Sequence, residues 1–112
     1  MSGALLEGVD HVATVLAAAG IPTILDIRRL TPGAVLVEPP SIVGISGGIT
    51  ELEIPISITG TPGDPGAVRK ILATADEIVE LFPVTAGDPG VYATGNQELP
   101  SYRLTVRITV RR

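Results

Sequence analysis

Residues 101–112 read SYRLTVRITVRR, and their alternation decides the fold. Tyr102, Leu104, Val106, Ile108 and Val110 form one set, and Arg103, Thr105, Arg107, Thr109 and Arg111 the other. Successive side chains of a strand point to opposite faces, so this is a half-buried strand with one apolar and one basic face. The same period recurs from Thr50 to Thr59, where Leu52, Ile54, Ile56 and Ile58 share a face opposite Glu51, Glu53, Pro55, Ser57 and Thr59. Pro55 cannot donate to a ladder and so predicts an edge strand or a bulge there.

Working outward, the period changes. Leu5, Val9, Val12 and Leu16 recur at spacings of four and three, which predicts an amphipathic helix over residues 3–19, stopped by Gly20 and Ile21-Pro22. A second helix starts at Asp64 as N-cap with Pro65 in its first turn. It carries Val68, Ile71, Leu72, Ala75, Ile78, Val79 and Phe82 on one face and ends at Pro83. Short strands are expected at Thr23–Ile27, at the apolar run Ala34–Glu38 cut by Pro39-Pro40, and at Tyr92–Thr94. The glycine-rich stretches 44–48 (GISGG) and 60–66 (GTPGDPG) read as loops, as does the second GDPG at 87–90.

The 112 residues suit one domain with a real core. That core is aliphatic, because the chain is 45% hydrophobic but only 3% aromatic. Cysteine is absent, which excludes a disulfide framework and a thiolate metal site and makes a reducing cytosol the default expectation. No apolar run approaches the roughly 20 residues of a membrane span, and no signal peptide is visible. Net charge is −4, yet four of the eight basic residues lie in 101–112, where no acidic residue stands.

Catalytic patterns are sparse. His11, the one histidine, has Glu7 four residues before it and Asp10 beside it, but one imidazole without further ligands is read as a solvated helix-face residue. Neither glycine-rich stretch has the Gly-Lys-Ser/Thr of a phosphate loop or the G-x-G-x-x-G spacing. Glu51 and Glu53 could serve as acid and base. The arginines at matching period, Arg103, Arg107 and Arg111, make cross-strand or intersubunit ion pairing the plainer role. A nucleic-acid surface would need a broader basic field and aromatic platforms, so no sequence-specific nucleic-acid binding is expected. The arginine face is expected to be an assembly surface.

In their order and spacing, the Ala-rich first helix ending in AAAGIPT, the segment PGAVLVEPPSIV, the strand ELEIPISI, the helix segment TPGDPGAVRKILATADEIVELFPV and the closing YATGNQELPSYRLTVRITV resemble the tail terminator proteins of long-tailed bacteriophages, especially those of actinobacteria. The resemblance spans nearly the whole chain. It implies one α+β domain over 1–112, a small and mainly antiparallel sheet with two helices on one side, in the order α-β-β-β-α-β-β. It further implies a noncatalytic virion protein without cofactor or metal, made in the bacterial cytoplasm and placed at the tail-neck junction. Such a protein forms a ring, usually hexameric, that caps the head-proximal end of the tail tube. Its partners would be further copies, the tube protein and a head completion or stopper protein, with no membrane involved. Loops around 44–48 and 83–97 would order on contact. Another neck ring protein, or a small ligand-binding regulatory domain with a pocket between the sheet and GISGG, are the alternative expectations.

Overall fold

Two distant alternating segments pair along their whole length to make the centre of the sheet. The computed structural model describes residues 3–26, 28, 31, 33–94 and 97–111. Its elements are α1 (Ala4–Ala18), β1 (Thr23–Ile24), β2 (Val35–Val37), β3 (Ser41–Ser46), β4 (Ile49–Thr59), α2 (Ala67–Leu81), β5 (Val84–Thr94) and β6 (Gln97–Arg111). The strands form one mixed sheet in the order β1-β2-β4-β6-β5, with β3 also on β4. Only β1 and β2 run parallel; the other pairs are antiparallel. The fold is thus α+β, with six strands and two helices among the described residues. Four strands separate the helices instead of the expected three, because β3 lies in a stretch that reads as a loop.

β4 and β6 pair from Ile49↔Arg111 to Thr59↔Ser101, so residues opposite one another share a face. The inner face holds Leu52, Ile54, Ile56 and Ile58 beside Leu104, Val106 and Ile108, and both helices lay Val12, Leu16, Ile71, Ala75 and Ile78 on it in one cluster. Each Leu or Ile so buried contributes about 1.5–3 kcal/mol relative to exposure. Aliphatic alternation alone therefore sets which face carries the helices.

The helix stripes differ in detail from their expected faces. In α1 the buried residues are Ala4, Gly8, Val12 and Leu16, whereas Leu5 is exposed and Val9 half-buried. The helix approaches the sheet so closely at Gly8 that a Cβ there would lie 2.5 Å from Leu52 Cδ1. A small-residue row therefore outcompetes the larger leucine for the contact. The helix ends in a Schellman arrangement, Ile21 N–H donating to Leu16 O and Gly20 N–H to Ala17 O, each at 3.0 Å. In α2 the buried set is Ala67, Ile71, Ala75 and Ile78, with Phe82 following; Val68, Leu72 and Val79 remain exposed. Asp64 stands just before the helix rather than at its N-cap position, which is Gly66. Its Oδ1 accepts from Gly66 N–H at 2.9 Å and its Oδ2 from Lys70 Nζ at 2.9 Å.

Pro55 lies in the central strand, not at an edge. The carbonyl of Pro55 accepts from Glu38 N–H at 2.9 Å, so its nitrogen faces the same side, where β2 has ended at Val37 and β3 begins at Ser41. Pro39-Pro40 cross that gap. The missing donor of Pro55 thus faces the point where its neighbour changes, and no ladder bond is forfeited.

Of the segments expected as loops, 60–66 is one, whereas 44–48 and 87–90 are largely strand. Gly44–Ser46 closes β3, which is bulged between Ile42 and Gly44, and Gly47-Gly48 make a two-residue hairpin turn with φ of 56° and 80°. The second GDPG lies in β5, where Asp88 faces Arg103 and Pro89 faces Tyr102. The strand expected at 92–94 therefore begins eight residues earlier, at Val84.

Candidate assembly surface

The face of β4 and β6 turned away from the helices carries Glu51, Glu53, Pro55 and Ser57 opposite Thr109, Arg107, Thr105 and Arg103. All five residues expected to form an assembly surface stand on it or at its margin: Glu51, Glu53, Arg103, Arg107 and Arg111. They are not one cluster. Arg107 Nη2 approaches Glu51 Oε2 at 3.6 Å, a diagonal contact, although Glu53 is the residue directly opposite. The Nε of Arg107 is buried and has no hydrogen-bond partner among the described residues. Arg111, at the end of the same row, faces Ile49.

Arg103 belongs to a second group that sequence reading misses. Its Nε donates to Glu38 Oε2 at 3.1 Å, and Ser57 Oγ donates to the same oxygen at 3.1 Å. Glu38 follows β2, which the ladder places beside Ser57 through the Leu36↔Ser57 pair. Residues of the β5–β6 hairpin stand beside this end, so that Glu38, Ser57, Asp88, Tyr92 and Arg103 line one cleft of about 470 Å³. Tyr92 also borders an adjoining apolar hollow with Leu25, Leu36 and Pro39. Burial pushes the Tyr92 phenol above its ordinary pKa, the Glu38 charge adds to the rise, and Arg103 opposes it. Glu38 could have been suspected only as a charge ending an apolar strand; its partners come from elements 19 and 65 residues away (57 − 38 and 103 − 38).

Other expected features lie off this face, although His11 borders a cleft that Arg107 and Arg111 also line. His11 is exposed on α1 and meets Phe82 edge-on, ring centroids 6.3 Å apart, within the attractive range of an aromatic pair. The GISGG segment is exposed and does not line the clefts beside Tyr92. Among the described residues, no three His, Cys, Asp or Glu side chains gather as a metal site. Among the same residues, no helix is long and apolar enough to cross a membrane. What the surface offers is alternating charge on a rigid ribbon, suited to electrostatic complementarity with another surface.

Compared with known proteins, the chain matches no family model, and no curated protein matches it.

Proposed function

We propose that this protein is a phage virion component of the tail-terminator type, forming a ring, most simply a hexamer, on the head-proximal end of the tail tube. The observation that carries the reading is the charged ribbon Glu51–Glu53–Arg107–Arg111, partly exposed along its length and backed by a helix-braced sheet. The resemblance of the sequence, segment by segment, to tail terminators supports the same assignment. Function is then physical. Tube subunits add ring upon ring through an open head-to-tail interface. A terminator ring matches the tube below and presents a different surface above, so that no further tube ring adds and the head completion or stopper protein can dock. No side chain is given a catalytic, metal or cofactor role, and neither sequence-specific nucleic acid nor membrane is a partner. A neighbouring neck component would share these properties.

Electron microscopy of lysates from a phage lacking the gene tests the proposal through tail length. Overlong tubes are the expected result. Tails of normal length beside unjoined heads would assign the protein to head joining, and intact infectious particles would overturn a role in the neck.

A second reading draws on the cleft beneath Tyr92, where Glu38 and Arg103 supply convergent polar groups beside an apolar hollow. It makes the chain a small ligand-binding domain, stabilised thermally by a metabolite.

A further inference from the structure

At the end of the sheet made by residues 41–53 and 107–111, three strands stand in the order β3-β4-β6. Both outer edges of this ribbon lack a strand partner among the described residues. β3 pairs only with β4, and β6 pairs with β5 no further than Val106. Arg107 N–H turns away from β4 to donate to Pro83 O at 2.9 Å. By the alternation of an antiparallel ladder, Thr109 and Arg111 turn their N–H and C=O groups to the same open side.

The two edges are complementary. β3 exposes Ile42, Val43 and Ile45, the last 68% accessible, and, although bulged between Ile42 and Gly44, carries neither Lys nor Pro. An apolar edge strand without such guards is a template for another strand. Through the register, Ile42 shares a face with Leu52 and Ile108, and Ile45 with Thr50 and Val110; this is the helix side. Beside the free edge of β6, on that side, lies a cleft of about 500 Å³ bordered by Glu7, His11, Leu81 and Phe82. On the opposite face β3 presents only Ser41, Gly44 and Ser46 in the rows of Glu53, Glu51 and Ile49. Strands in a sheet are spaced about 4.8 Å. Arginines on an added strand could therefore reach across these small residues to Glu51 and Glu53.

We infer that β3 of one copy adds to the free Thr109–Arg111 edge of a second copy, in parallel, with Ile42 and Ile45 entering the cleft beside Phe82. β3 and β6 each run antiparallel to β4, so a sheet continued from copy to copy with strand directions kept brings them together in parallel. Arg107 and Arg111 of the second copy then face Glu51 and Glu53 of the first. The contact is heterologous: each copy has one donor strand and one acceptor edge, as a closed ring requires. The inference rests on the proposed function, because it supplies the contact from which that ring is built.

Two variants separate the two halves of the contact. Ile45→Lys charges the donor strand, and Thr109→Pro removes an N–H that meets no strand in the single chain. Both are expected to keep the circular dichroism spectrum and cooperative melting of the parent. By native mass spectrometry and sedimentation, the parent chain is expected to grow with concentration to a closed ring. Each variant alone is expected to remain monomeric, its dissociation constant weakened about thirtyfold or more, as for an interface hot spot. An equimolar mixture restores one intact junction, Thr109→Pro lending its β3 and Ile45→Lys its β6 edge, and is expected to stop at the heterodimer. Dimers of Thr109→Pro alone would overturn the inference in favour of β3 pairing with itself. Rings that persist in both variants would overturn the edge contact while upholding the ring. A parent chain monomeric at millimolar concentration would overturn the contact as well, and the tail-length experiment would then decide the terminator reading independently.

Discussion

The β4–β6 ribbon has the same inner face from end to end and two different outer faces. At one end Glu38, Ser57 and Arg103 join in a cleft that Tyr92 and other hairpin residues also line. At the other, Glu51 and Arg107 meet at 3.6 Å in the open, 47% and 40% accessible, and β3 beyond them is exposed along its whole length. One alternating arginine row thus serves two purposes. At the first end an arginine that is itself 56% accessible is held by the largely covered Glu38, 18% accessible, and braces the fold; at the second both partners are part-exposed, and the pair leaves charge for another surface.

The largest effects should be equal at the two ends. Leu52→Ala and Ile56→Ala remove fully buried side chains from the same face, and each is expected to cost about 3 kcal/mol in chemical denaturation. A much smaller loss at Leu52 would break the idea of a continuous inner face. Gly8→Ala sharpens it from the helix side: the added methyl meets Leu52, and overpacking of this kind costs about 1–3 kcal/mol. The outer face should be unequal. Glu38→Ala leaves Arg103 and Ser57 without their shared acceptor, an expected loss of about 1 kcal/mol. Glu51→Ala should cost less than about 0.5 kcal/mol, with the remaining difference vanishing in 0.5 M salt. Equal losses for these two variants would erase the contrast.

The smallest expected effect lies outside both ends. Lys70 and the Gly66 N–H hold the Asp64 carboxyl below its ordinary pKa. A pKa depressed in the folded state stabilises fully above the unfolded value, near ~4, and the contribution is lost as pH falls through the lower folded value. Between pH 5 and pH 2 the parent should therefore lose slightly more melting temperature than Asp64→Asn.

Period alone carried most of this architecture. Leu52–Ile58, Leu104–Val110 and the α2 stripe from Ile71 to Phe82 announce their elements because a buried face forces repetition in sequence. β3 and most of β5 were illegible for the opposite reason. Ser41–Ser46 is exposed on both sides, so no face had to be apolar, and Val84–Gly90 contains the Gly-Asp-Pro-Gly that elsewhere starts a helix. Pro55 pointed to an edge because a missing donor is visible in sequence, whereas the gap between two neighbouring strands that tolerates it is not. The arginine row and Glu51 could be paired by eye; Glu38 could not, since its position beside Arg103 depends on β2, β4 and β6 lying together.

The central placement of β6 sets a timetable for synthesis. Its pairs with β4 join residues from 42 apart (Thr59↔Ser101) to 62 apart (Ile49↔Arg111), and non-local pairings of this kind are slow to form. During translation β4 emerges with one flank bare and its aliphatic face without Leu104, Val106 and Ile108. The nascent chain passes through an aggregation-exposed stage that ends only when residue 111 has left the ribosome. A chain interrupted after β5 would lose no helix, yet the strand that joins both halves of its sheet would be missing.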